Sequence, residues 1–371
     1  MKDLIFHIYA LFFNLGARFK VKSDRVGLVS MHNAHFADGL GEVEARLGSF
    51  EIIKIERTSL FSAPLSALRF VTIDAFRLGR AKYIFLNDNF MALAYAKPNR
   101  ETRIVQLWHG MGAFKKFGFD IEVEPKVRRR EAAQAGRLTH VACSSVGVKE
   151  IYAGAFGVSP DKVYPVGAPN GDFYFSEENW KTARDTLLEL FPELEGKYIV
   201  LYAPTFREDT ANDEDILKHF NAERIKRAVN ANLGPDKPKD IEILVRLHPQ
   251  VHESAQVKNA FDVTDYPFVN ELCMAADMLV TDYSSICMDF ALMKKPIVFY
   301  AYDLDYYKGA RDFYFDYEIY VPGPVAKTED ELIFAIKDAR KAPSPKLAEF
   351  RKFNFDEPDG RATERLLEIV L

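Results

Sequence analysis

The chain has 371 residues, 48% of them apolar and 28% charged, a balance that supports buried cores and excludes disordered, collagen-like and coiled-coil classes. Forty-nine Lys and Arg against 54 Asp and Glu leave a formal charge of -5, which argues against a nucleic acid as partner and confines any basic site to a local patch. At roughly 150 residues per domain, the length predicts two to three domains, two being the simplest reading.

The first element is an apolar run over 4–13, about ten residues against the roughly 20 needed to span a bilayer. No small-residue cleavage site follows it; Arg18, Lys20 and Lys22 do. Two readings fit: an interfacial helix with basic flanks, or a first helix packed on the core with His7 and Asn14 outward. Short β-branched or apolar runs then recur at 26–30, 51–55, 83–86, 103–107 and 140–143, separated by helix-like stretches, which predicts a parallel sheet with crossover helices. After the cluster Pro165, Gly167, Pro169 and Gly171, a second series begins at 198–202 and continues at 242–245, 278–280 and 296–300. Helices are expected at 181–190, 329–340 and 360–371. Cys143, Cys273 and Cys287 have neither CxxC spacing nor a neighbouring histidine, so no disulfide framework or structural zinc is expected, and a reducing, cytoplasmic setting fits.

In open α/β sheets ligands bind beyond the carboxyl ends of the strands, so the residues after each strand are the functional candidates. The first strand is followed by Ser30, His32, His35 and Asp38, a loop without the third ligand spacing that a divalent metal needs. Gly39-Leu40-Gly41 opens an imperfect dinucleotide fingerprint, in which Glu44 stands at the third glycine position, so a nicotinamide site is not expected. Gln106-Leu107-Trp108-His109-Gly110 ends a buried strand with an imidazole whose ordinary pKa of about 6.5 suits a general base. Lys115 and Lys116 follow, and Lys126-Val127-Arg128-Arg129-Arg130 is a basic run, either a solvated face or a contact for anionic lipid or a polyanionic acceptor. In the second series, Thr205 and Arg207 follow a Pro-fixed turn, and Arg246 and His248 point to one face of an extended chain. Asp282, Ser284 and Ser285 lead into a helical stretch whose amino end favours phosphate; helix capping explains one serine of the pair, not both.

At these residues the chain resembles the CDP-glycerol glycerophosphotransferase family, the teichoic acid and capsule polyol-phosphate primases and polymerases. The resemblance rests on blocks in one order: 106–110 with 114–120, 201–207, 246–249, 281–285, 299–304, and 313–316 with 322–324. It implies an α/β fold of GT-B type, two Rossmann-like domains with parallel sheets facing a central cleft, divided as 1–22 (apolar and basic helix), 23–168 (acceptor domain), 169–345 (CDP-alcohol domain) and 346–371 (a helix returning to the first domain). It implies transfer of glycerol phosphate from CDP-glycerol to a hydroxyl of a lipid-linked, polyprenyl diphosphate saccharide or polyol-phosphate acceptor, with release of CMP. The alternatives are CDP-ribitol as donor, or a GT-B glycosyltransferase using a nucleotide sugar. On that reading His109, Asp38 and His32 are the catalytic candidates. Thr205, Arg207, Arg246, His248, Asp282, Ser284 and Ser285 hold the donor diphosphate, and Lys115, Lys116, Arg128 and Arg129 face the acceptor or membrane. No cofactor or metal is implied, and the expected location is the cytoplasmic face of the cell membrane, as a peripheral protein.

Overall fold

The computed structural model describes residues 2–31, 38–56, 64–207, 216–231, 239–248, 257–310, 312–356 and 358–371. The chain divides into two compact units, Met1–Asp172 with Phe353–Leu371, and Phe173–Lys352. Each is an α/β unit around a six-stranded parallel sheet, the Rossmann-like architecture of GT-B type proteins.

In the first unit the strands are β1 (Lys22–Ser30), β2 (Glu51–Glu56), β3 (Ala81–Leu86), β4 (Arg103–Gln106), β5 (His140–Cys143) and β6 (Val163–Pro165), in the order β2-β1-β3-β4-β5-β6. The inner strands β1, β3, β4 and β5 are buried without alternation, as expected where helices cover both faces of a parallel sheet, whereas the edge strand β2 alternates. Val26, Leu28, Tyr83, Phe85 and Val105 share a core with Leu366, Leu367 and Val370 of the last helix, Ala362–Val370. The first helix, Lys2–Gly16, packs on the stretch Phe70–Gly79 through Tyr9, Ala10 and Phe13. A Cβ at Gly16 or Gly79 would lie 2.1 Å from the carbonyl oxygen of Phe76 or Phe13, so only glycine lets these two backbones meet. Among the described residues, no helix is long and apolar enough to cross a membrane.

The second unit contains β7 (Tyr198–Ala203), β8 (Ile241–Val245), β9 (Phe261–Asp262), β10 (Met278–Thr281), β11 (Ile297–Tyr300) and β12 (Val325–Ala326), in the order β12-β11-β10-β7-β8-β9. Counted within the unit this is the 3-2-1-4-5-6 order of dinucleotide-binding folds. Its helices begin on sequence-encoded caps. Ser176 accepts from the Asn179 amide, and Thr328 with Glu331 forms a capping box.

Candidate active site

The first sheet changes its direction of growth between β1 and β3, and the polar residues after those strands meet there. Asn87, directly after β3 and wholly buried, joins them. Its Nδ2 donates to Ser30 Oγ at 3.1 Å and to Asp38 Oδ2 at 2.7 Å, and its Oδ1 accepts from the Met31 amide at 2.9 Å. Asp38 is also the N-cap of the helix Gly39–Arg46, its Oδ1 accepting from the Leu40 amide at 2.9 Å. Both carboxylate oxygens thus have assigned structural partners.

The backbone carbonyl of Asn87 lies 3.2 Å from Nδ1 of His109, which follows β4. A carbonyl oxygen only accepts, so Nδ1 carries the proton of the neutral ring and Nε2 carries the lone pair. Asn87 thus touches both residues, donating to Asp38 through its side chain and accepting from His109 through its backbone carbonyl. Trp108, just before His109, has φ = 62°, a left-handed conformation that costs a bulky side chain roughly 1–2 kcal/mol. His32 and His35 lie outside the described residues.

Beyond the loop, Lys115 and Lys116 are half-buried. The basic run falls on the helix Pro125–Ala135, where helical spacing divides it. Arg128 donates to the carbonyls of Gly118 and Ile121 and stands 4.6 Å over the Phe119 ring, fixing the segment that contains them. Lys126 and Arg130 pair with Asp3, in the first turn of the helix Lys2–Gly16. Hydrogen bonding from Lys126 holds the Asp3 carboxyl below the usual carboxylate range. Arg129 is exposed.

In the second unit the switch point falls between β7 and β10. Asp282, after β10, accepts from the Thr205 amide at 2.8 Å and so ties the two strand ends together. Arg207 is buried; its guanidinium lies 3.0 Å from Asp282 Oδ2 and grips Asp303, after β11, through Nε at 2.7 Å and Nη2 at 3.0 Å. Burial works against its charge, but Asp282 and Asp303 more than offset that and hold it protonated above the ordinary arginine range. Tyr283, Tyr302 and Tyr307 stand 5.2–5.8 Å from the same cation, and Tyr283 Oη donates to Asp303. Arg207 thus holds the turn that carries Thr205. The Thr205 hydroxyl is buried and has no hydrogen-bond partner among the described residues.

Beside it, Arg246 donates from Nη1 to the carbonyls of Val263 and Tyr266 at 3.0 and 2.6 Å, and burial lowers its pKa. The His248 ring lies 4.5 Å from that of Phe206, tilted by 31°. Ser284 Oγ accepts from the Ile286 amide at a long 3.4 Å, whereas Ser285, the N-cap of Ile286–Leu292, makes no side-chain cap and is exposed.

Sequence reasoning passed over Asn87 and gave Gln106 and Asp303, although inside the quoted blocks, no role. All three stand at strand ends, so the rule that selected His109 and Thr205, applied to β3, β4 and β11 with equal weight, would have found them.

Residues 68–371 match the family described as CDP-Glycerol:Poly(glycerophosphate) glycerophosphotransferase. The chain is 33% identical over 304 residues to a teichoic acid poly(ribitol-phosphate) polymerase of Bacillus spizizenii, covering 80% of this chain but 48% of that protein, so it spans about half that relative's length. It is 27% identical over 370 residues to a teichoic acid ribitol-phosphate primase of the same organism, covering 96% of this chain and 93% of the primase. Among solved structures, a point variant of the wall teichoic acid polymerase TagF superposes with a TM-score of 0.79 at 20% identity, over 99% of this chain and 92% of that one, a likeness of fold.

Proposed function

Because the chain belongs to the CDP-glycerol:poly(glycerophosphate) glycerophosphotransferase family, we propose that it transfers a polyol phosphate from a CDP-activated alcohol to a hydroxyl of a teichoic acid type acceptor, releasing CMP. The observation that carries the reading is the His109 imidazole, whose Nδ1 is committed to the Asn87 carbonyl so that Nε2 is the basic nitrogen. In the reaction the acceptor oxygen attacks the phosphorus that bears the alcohol. Its proton passes to Nε2, the bond from that phosphorus to the bridging oxygen breaks, and CMP leaves with the electron pair.

The charge that develops on the leaving phosphate calls for donors prearranged around it. Thr205, whose buried hydroxyl has no hydrogen-bond partner among the described residues, is the first candidate; Arg246, His248, Ser284 and Ser285 complete the set. Arg207 and Asp282 act one step back, holding the Thr205 turn. Asp38 acts likewise on the other unit, by fixing Asn87.

The acceptor is lipid-linked on this reading, and the protein docks on the membrane surface through the outer face of its first helix. Leu4, Ile8, Leu11 and Leu15 are exposed along that helix, followed by exposed Phe19, and Leu65, Leu68 and Ile73 are exposed on the neighbouring helical stretch. Arg18 and Lys20 lie at the helix end, the arrangement of a helix seated at an anionic interface.

The donor alcohol has a second reading, ribitol, favoured by the names of both relatives. The deciding experiment measures CMP released from CDP-glycerol or CDP-ribitol, and UDP from a UDP-sugar, each with and without a lipid-linked saccharide acceptor. Acceptor-dependent CMP release from one CDP-alcohol is the expected result. Release of UDP alone would replace this reading with a glycosyltransferase.

A further inference from the structure

Consecutive side chains of an extended strand point to opposite faces. Trp108 and His109 do not: their ring centroids are 3.9 Å apart with an interplanar angle of 34°. The cause is the left-handed backbone at Trp108, φ = 62°, which ends β4 and folds one side chain over the next. The surroundings hold this conformation. Gln106, wholly buried, accepts from the Trp108 amide at 2.9 Å while its Nε2 donates to the Asp88 carbonyl at 3.2 Å. The indole also stacks on Phe117 at 4.9 Å and 20°, and Phe156 meets it edge-on at 5.3 Å. Gly110 leaves room for the indole edge, since a Cβ there would stand 3.3 Å from Nε1.

Strained backbone of this kind persists only where its environment over-determines it, and it gathers at functional sites. From this arrangement, and resting on His109 as the base, we infer that Trp108 is a positioning residue: its turned backbone and its indole face fix the plane of the imidazole, as the Asn87 carbonyl fixes its tautomer. One contact sets which nitrogen is basic; the other sets where that nitrogen points. A ring held at both places meets the acceptor hydroxyl without reorganising, which is the part of a proton transfer that misplacement destroys.

The test compares Trp108→Leu, Trp108→Phe, Phe117→Leu and His109→Gln in the CMP-release assay, with the His109 Hε1 proton followed by NMR. Trp108→Leu is expected to lower kcat by about tenfold to a hundredfold while the KM for the CDP-alcohol changes less than about twofold, since the orientation of the base and not donor binding is lost. Trp108→Phe keeps a stacked ring and restores most of the rate. The upfield ring-current shift of Hε1 disappears in Trp108→Leu and persists in Trp108→Phe. Phe117→Leu, which removes a ring stacked on the indole and leaves Trp108 in place, lowers kcat in the same sense and decides the matter if Trp108→Leu fails to fold. Wild-type kcat in both leucine variants, or a loss confined to KM, overturns the inference when His109→Gln is inactive. An active His109→Gln variant overturns instead the assignment of the base on which the inference stands.

Discussion

A single carbonyl gives His109 its chemistry: by accepting from Nδ1, Asn87 leaves the lone pair on Nε2. On the proposed mechanism, replacing His109 with alanine removes the base without disturbing a core, so CMP release should fall by roughly 10²–10⁴-fold with an unchanged melting temperature. A retained rate would take His109 out of the mechanism. At the opposite, amino ends of β1 and β2, Glu51 meets Arg77 at 3.0 Å, Arg25 at 2.9 Å and Lys22 at 3.4 Å. Hydrogen bonding from Arg77, then from Arg25, outweighs burial and holds its pKa down to about 2. A carboxyl whose folded pKa is depressed stabilises the fold above its unfolded value, about 4.3, and loses that contribution as pH falls toward 2. Glu51→Gln should therefore lower stability by about 1–2 kcal/mol at neutral pH, the pKa shift discounted for its partial exposure, and the difference should shrink steadily below pH 4.5. Denaturant titrations of both proteins from pH 7 to pH 3 check this; a difference independent of pH would assign the effect to packing.

At the scale of elements, the helix Lys2–Gly16 shows why its sequence admitted two readings. Tyr9, Ala10 and Phe13 are buried while Leu4, Ile8, Leu11 and Leu15 are exposed, so the helix is apolar on both its core stripe and its outer stripe. Periodicity detects one apolar face against a polar one, and here there is little polar face to find. His7 does face outward, resting on Tyr95, and Asn14 accepts from the Lys97 amide. With 65% of Leu4 and of Leu11 exposed, the paired change Leu4→Glu, Leu11→Glu should leave the fold intact. It should weaken binding to vesicles containing anionic lipid by at least about tenfold, through lost apolar burial and charge repulsion. Co-sedimentation measures it, and equal binding by both proteins would place the docking surface elsewhere. The central strands were legible because they are continuous apolar runs, and the structure moves their ends by a residue or a few. β6, β9 and β12 were not: they are two- or three-residue strands in the outer part of each sheet, where one or two ladder bonds rather than a hydrophobic run define them. The candidate site was legible to the same extent. Residues that follow long strands, such as His109, Thr205 and Asp282, announce themselves by chemistry. Asn87 and Gln106 work through contacts with residues distant in sequence, and no local pattern encodes those.

At the scale of the whole molecule, the first unit is discontinuous in sequence and depends on the chain's last segment. Asp172 caps the helix Ala362–Val370 from 190 residues away, its two oxygens accepting from the amides of Ala362 at 3.0 Å and Thr363 at 2.7 Å. At the other end of that helix, Tyr83 Oη donates to the Leu371 carbonyl and Arg103 to that of Val370. Leu366 is wholly buried in a core shared with β1, β3 and β4, and every buried neighbour in that cluster belongs to the first unit. Leu366→Ala should therefore destabilise the first unit by about 2–5 kcal/mol, the range for truncating a leucine in a packed core. The chain's two tryptophans report on the units separately, Trp108 in the first and Trp180 in the second. Single-tryptophan backgrounds made with Trp180→Phe or Trp108→Phe allow each unfolding midpoint to be read by fluorescence in denaturant. Leu366→Ala is expected to move the Trp108 midpoint well below that of its parent and the Trp180 midpoint by less. Equal displacement of both would mean that the chain unfolds as one cooperative body.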